Sequence, residues 1–298
     1  MRPLAKTLLT TAALLASASG ARAQSAAPSA APGAAGVSRA VDAAVRPASA
    51  PAPLCPAAPQ LAHKFAPGEK LRFHLDLFGA DVGWFEIALE PPPREERDRV
   101  LLLIHARAHT SAFVSTNLGD YSGFAVSRVA PDLSPLSARE EVDEGSTHWM
   151  HALTFPPKSG QLDVRASRNG EPAPLALAAT PSAHDLLSAF LLLRAMPLTT
   201  GTPFCTELFA GRRMWKMTGA VGPRETLETP LGRFNTVRID LLSVRIDDAK
   251  TTRTAHLWIT DDERRLPIAA LAEVKGKTLR AQLESASGKG WSLGSKDR

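Results

Sequence analysis

A single tyrosine, Tyr121, and an aromatic content of 6% in 298 residues leave too few rings for the two aromatic girdles of an outer-membrane barrel, and 24 prolines suit its uniform strands poorly. No apolar run approaches the roughly 20 residues that a helix needs to span a bilayer, so a helical integral membrane protein is excluded. Catalytic signatures are lacking as well. There is no G-x-S-x-G elbow and no S-x-x-K, and Gly288-Lys289-Gly290 is not followed by the helix pattern that a phosphate loop requires. Charge excess is small. The formal net charge is +5, and part of it sits at an N-terminal end with the features of a removable leader.

At that end Arg2 and Lys6 precede an apolar run from Leu8 to Ala16, and small residues lead to Ala21-Arg22-Ala23. This pattern predicts a secretory signal peptide over residues 1–23, cleaved before Gln24. Losing Arg2, Lys6 and Arg22 takes the formal charge from +5 to +2, too weak an excess to gather nucleic acid. A lipoprotein signal would place small residues just before a cysteine that directly follows the apolar run, whereas Cys55 follows Ala52-Pro53-Leu54. The expected product is soluble, unanchored, and periplasmic or secreted. Residues 24–60 consist mainly of Ala, Pro and Ser and hold seven prolines. Such a stretch cannot bury enough apolar area to offset its ordering entropy, and reads as a disordered, semi-extended linker. Residues 286–298, polar and Gly-rich around Trp291, read as a flexible tail, which leaves 61–285 as one β-rich domain.

Inside that domain the hydrophobic pattern has period two, the mark of half-buried strands. Leu71, Phe73, Leu75 and Leu77 alternate with Arg72, His74 and Asp76, and after FGADVG the pattern resumes at Phe85, Ile87 and Leu89. Two hairpin registers keep the apolar faces together. Leu77 opposite Phe85 would oppose Asp76 to Glu86, and Leu75 opposite Phe85 would oppose His74 to Glu86; like-charge repulsion favours the second. The run Val237, Ile239, Leu241 changes parity at Leu242, Val244, Ile246. Either a β-bulge near Leu241 and Leu242 or a change of packing environment accounts for the switch. Further strands are expected near 252–260, 268–274 and 278–284. One helical segment interrupts them: Leu186, Leu187, Phe190, Leu191 and Leu193 form an apolar face, with a capping box from Ser182 to Asp185 at its start and Pro197 at its end. The fold class is all-β, a curved or partly closed antiparallel sheet with one packed α-helix.

Candidate chemistry is sparse. His105 and His109 would pair on a helix, but Val100, Leu102 and Ile104 mark a strand, where residues four apart lie about 13 Å from one another, too far for one ion. His148 and His151 point to opposite faces when extended. No metal site and no cofactor is therefore expected. Glu86, with His74, His105 and Arg107 on neighbouring positions, forms the best polar cluster. Cys55 and Cys205, in an exported chain, are expected to form a disulfide. Phe78, Trp84, Leu101 and Leu103 carry apolar groups on the parity opposite Leu75, Phe85, Leu102 and Ile104. Both faces of these strands are thus apolar, and these four become candidate ligand contacts; a helix or second layer covering them is the alternative. In LFAGRRMWKMTG, Arg212, Arg213 and Lys216 stand beside Phe209, Met214, Trp215 and Met217 around Gly211, a mixture suited to an anionic surface or to ordinary hairpin packing.

The segments FAPGEKLRFHLDLFGADVGWFEIAL, HDLLSAFLLLRAMPLTTG, ETLETPLGRFNTVRI and LWITDDERRLPIAALAEVKGKTLRAQLES, in that order, resemble the bacterial family called domain of unknown function 3108. The resemblance covers most of residues 65–285. It implies an exported, β-rich envelope protein whose activity is not established, and it supplies no catalytic residues. Three functions remain open: non-catalytic binding of a lipid or other apolar envelope ligand, which is favoured; a structural or interaction module with an envelope protein partner; and a hydrolase acting on envelope material through the Glu86 region.

Overall fold

The computed structural model describes residues 55, 61–155, 162–175, 177, 183–274 and 277–294. The expected leader, the linker other than Cys55, and Ser182 lie outside the described residues. The alternating segments form strands β1 (Lys70–Leu77), β2 (Ala80–Glu90), β3 (Leu102–Thr110), β4 (Tyr121–Val129), β5 (Pro135–Glu144), β6 (Thr147–Thr154), β7 (Asp163–Arg168) and β8 (Glu171–Pro172). After β9 (Ala183–Asp185) come β10 (Pro203–Ala210), β11 (Arg213–Thr229), β12 (Gly232–Arg245), β13 (Asp248–Thr260), β14 (Pro267–Val274), β15 (Lys277–Gly288) and β16 (Trp291–Leu293). Two α-helices interrupt them among the described residues, the unanticipated α1 (Ala112–Leu118) and α2 (Leu186–Ala195).

All sixteen strands belong to one sheet, ordered β8-β7-β6-β5-β4-β3-β2-β1-β15-β14-β13-β12-β11-β10-β9, with β16 added on β15. It consists of two meanders, β1–β8 and β10–β15, joined where β1 pairs antiparallel with β15. Every pairing is antiparallel except that of β9 with β10. No ladder joins β8 to β9 among the described residues, yet side chains bridge the arms. Ala138 of β5 and Leu153 of β6 share a core cluster with Ala183 of β9, Phe209 of β10 and Met214 of β11. The sheet is therefore curved and partly closed, as its sequence pattern implies.

Helix α2 sits in the concavity. A helix that is apolar nearly all round belongs in an interior, and here Leu187, Leu191 and Ala195 pack with β1, β2 and β3 residues such as Phe73, Ile87 and Ile104. Its other side, Ala189, Leu192 and Leu193, packs with Leu208, Val237 and Ile259 of the far arm. The N-cap is Asp185, whose Oδ1 accepts from the Leu187 and Ser188 amides at 2.9 and 3.1 Å.

Three local expectations are corrected. The β1–β2 hairpin closes through a two-residue turn, Phe78-Gly79, with φ of 55° and 82°, the left-handed pair that a tight hairpin requires. A bulge then admits one extra residue between Asp81 and Gly83. The resulting register sets Phe73 against Phe85 and Arg72 against Glu86, so the two rings stack at 4.4 Å and opposite charges meet. Neither register weighed from the sequence occurs. The parity switch in β12 involves no bulge, since pairing runs unbroken through Leu241 and Leu242 on both sides. The strand leaves the core there, exposing Leu242 and Ile246; the bulge lies instead on β11 between Val221 and Arg224. Finally, residues 286–293 are not a loose tail. β15 runs to Gly288, and β16 folds back on it through the Lys289-Gly290 turn, placing Trp291 and Leu293 against the core.

Candidate functional site

Small side chains at inward positions leave a cavity of about 210 Å³ between α2 and the two arms. On one arm the ladder pairs Ala106 with Ala125 and Ala108 with Gly123. On the other it pairs Ala255 with Ala272 and Ala270 with Ala281. Farther along the same faces Leu102, Ile104, Val237 and Ile259 fill the space completely, each 0% exposed. Phe85, Phe190, Trp215 and Met217 complete an apolar wall, the usual chemistry of a small-molecule site.

Two ionisable side chains on inward positions break that wall. Glu140 of β5 shares the face of Ala138 and Val142 and lies opposite His151 of β6, with its Oε2 at 3.8 Å from His151 Nδ1. Burial, reinforced by the Asp185 carboxylate, pushes the Glu140 carboxyl up to about 8, while burial and the Arg212 cation push His151 down to about 4. Both are neutral at pH 7. Behind them burial raises Asp185 against the hydrogen bonds from Ser127, Ser188 and the Leu187 amide, and lowers His184 to about 4 against the pull of Asp132. The second is Arg253 of β13, whose guanidinium lies 4.3 Å from the centre of the Trp215 ring.

The candidates read from the sequence fall elsewhere. Phe78 is 74% exposed at the hairpin tip. Trp84 is on the convex face, under the Arg72 guanidinium at 4.4 Å, and Leu103 shares that face opposite Glu90. Leu101 packs against the main core. None of these four lines the cavity. His74, Glu86, His105 and Arg107 share the convex face on neighbouring ladder positions, but three of them have separate partners: His74 meets Asp81 at 3.1 Å, Glu86 meets Arg72 at 2.5 Å, and His105 lies 3.4 Å from Glu90. Arg107, opposite Glu86 in the ladder, alone of the four touches the cavity wall. In the basic–aromatic hairpin, Phe209, Met214, Trp215 and Met217 are all buried and Arg212 turns back over the Trp149 ring at 3.7 Å, so its apolar members are committed to the core. Cys55 and Cys205 form a disulfide with Cα atoms 5.4 Å apart.

Sequence reasoning passed over Glu140 and Arg253. The parity of Ala138, Glu140 and Val142, and of Arg253, Ala255 and Leu257, was the available signal, since each charge shares a face with apolar residues.

A crystal structure of a beta-barrel-like protein of the domain of unknown function DUF1849 from Brucella abortus matches with a TM-score of 0.53 at 9% identity, over 77% of this chain and 99% of that one. The likeness is one of fold. A candidate exported protein with a YmcC-like fold from Bacteroides fragilis aligns at 10% identity, over 76% of this chain and 99% of that one, with a TM-score of 0.34. A candidate lipoprotein from Parabacteroides distasonis aligns at 9% identity, over 76% and 98%, with a TM-score of 0.32. No curated protein sequence matches. No helix among the described residues is long and apolar enough to cross a membrane. Residues 72–284, more than two thirds of the sequence, match the family described as protein of unknown function DUF3108, and the chain belongs to that family.

Proposed function

We propose that this protein is exported and acts by binding, holding a lipid or acyl chain in the cavity between α2 and the concave sheet. The observation that carries the reading is the set of cross-strand Ala–Ala pairs on both arms, with Ala108–Gly123 on one, which keeps open an apolar space of about 210 Å³ beside α2. Packing alone disfavours such a space, because an empty apolar cavity forfeits dispersion contacts along its whole lining. An apolar ligand restores them. Export rests on the leader pattern of residues 1–23. The catalytic alternative through Glu86 has less support, because that carboxylate is on the convex face and tied to Arg72.

The test is native mass spectrometry, with lipid extraction, of the mature protein purified from the exported fraction without detergent. A stoichiometric lipid that is lost in Ala125→Phe and Ala270→Phe, which fill the cavity from opposite arms, is the expected result. A clean apo mass, together with no uptake of added lipid, overturns the reading.

A further inference from the structure

Several arginines in this fold have carboxylate partners. Arg194 is held by Glu69, Arg238 by Glu225 and Asp240, and Arg72 by Glu86 and Glu284. Arg253 is different. It occupies an inward position on β13, opposite Ser243 of β12, and lines the cavity. Its guanidinium stacks on Trp215, and that ring is fixed in turn by its Nε1–H donating to the Ala210 carbonyl at 3.0 Å. No carboxylate lies within ion-pair reach of Arg253 among the described residues. The charge that acts on it is another cation, Arg245, which already has Asp247 and Asp248 at 2.7 and 2.9 Å. Burial first, and Arg245 second, lower Arg253 to about 10, so it stays charged at neutral pH.

The carboxylates along the cavity do not answer this charge. Glu140 faces His151 across the β5–β6 ladder, Oε2 to Nδ1 at 3.8 Å, Glu141 is engaged by Arg139 at 2.6 Å, and Glu273 accepts from Thr254, which faces away from Arg253 in the strand. A half-buried arginine with a planar face stacked and its edge N–H groups directed to no protein anion is preorganised for an external one.

We propose that the ligand of this cavity is an anionic amphiphile, one alkyl chain with a carboxylate or phosphate head, and that Arg253 binds the head while the Ala- and Gly-lined wall takes the chain. This rests on the binding function proposed above and specifies its ligand class. A single chain follows from size. The volume, about 210 Å³, stands nearer the ~150 Å³ that accommodates one benzene than the pockets that enclose large ligands.

The test uses delipidated mature protein titrated with laurate, dodecyl phosphate and dodecanol, for wild type, Arg253→Gln and Arg253→Lys. Wild type is expected to bind one laurate or dodecyl phosphate per chain at least tenfold more tightly than dodecanol, with the tighter anion identifying the head group. Arg253→Gln is expected to reduce the anions to the level of dodecanol and leave dodecanol unchanged, and Arg253→Lys to retain part of the preference. Dodecanol binding as tightly as the anions, or Arg253→Gln binding the anions like wild type, overturns the inference and leaves the binding function standing. Failure of all three ligands to bind wild type overturns both. A melting curve of each variant separates loss of the head-group contact from loss of the fold.

Discussion

Arg194 is 0% exposed, and its charge is fully answered: Nη1 and Nη2 donate to the two Glu69 oxygens at 2.6 and 2.9 Å, Nε donates to the Arg265 carbonyl at 2.9 Å, and Phe65 lies below at 4.8 Å. Removing one member of such a buried pair strands the other. Glu69→Gln is expected to lower unfolding stability by about 3 kcal/mol in urea titrations; a change under 1 kcal/mol would show the pair to be dispensable. Glu140 imposes a different signature. Its folded pKa, about 8, exceeds the ordinary 4.5, so the folded protein retains a proton that the unfolded chain has released, and this group costs stability as pH rises from about 4.5 to 8. His151 and His184, lowered from 6.5 to about 4, have the opposite sign, and their contribution rises between about pH 4 and 6.5. Above 6.5 the histidine gain tails off while the Glu140 loss continues. Wild type should therefore lose on the order of 1 kcal/mol between pH 6.5 and 8, and Glu140→Gln distinctly less. Identical losses in urea titrations at the two pH values would sink this assignment.

At the scale of elements, α2 depends on one residue. Asp185 caps its first turn, accepts from the Ser127 hydroxyl at 2.7 Å and from the Ser188 hydroxyl at 2.8 Å, and thereby ties β4 to the helix. Asp185→Ala removes the cap and leaves the buried Ser127 hydroxyl short of an acceptor, so a loss of about 2 kcal/mol or more is expected. Asp185→Asn keeps an acceptor for the amides and should lose less; equal losses from the two would refute the capping role. The helix itself was legible because its apolar spacing is local, but its cap was misplaced by three residues, since Ser182 and Asp185 both suit the position chemically. Strands were legible for the same local reason. The β1–β2 register was not, because it turns on a bulge whose only trace is Gly83. There φ is 147° and a Cβ would meet the His109 carbonyl oxygen at 2.2 Å, a clash that appears only once β3 is in place. The tight turn also puts Phe78 where Asn or Gly is usual. The cavity was hidden for a related reason. Ala106 and Ala270 are ordinary strand residues until the β1–β15 pairing bends their two arms around one helix.

That pairing gives the whole molecule its long-range character, because it joins residues 70 and 287 and with them the two arms that enclose α2. The disulfide reinforces the same closure. Cys55 and Cys205 are 150 residues apart in sequence, and the loop they close contains β1 to β9 and all of α2, with Cys205 itself on β10 of the opposite arm. Near the start of that loop the Ala62 amide donates to the carbonyl of Ala195, the last residue of α2, at 2.7 Å, so the segment entering β1 passes over the helix end before the sheet begins. A crosslink of this span acts mainly on the unfolded chain, whose loop-closure entropy it removes, and for a loop this long the stabilisation is about 5 kcal/mol. Cys55→Ser with Cys205→Ser is expected to lower the urea midpoint accordingly. Reductant should bring wild type to the midpoint of the double variant and leave the variant itself unmoved. A wild-type midpoint indifferent to reductant under conditions that release both thiols would show that the closure is held by the β1–β15 ladder and α2 packing alone.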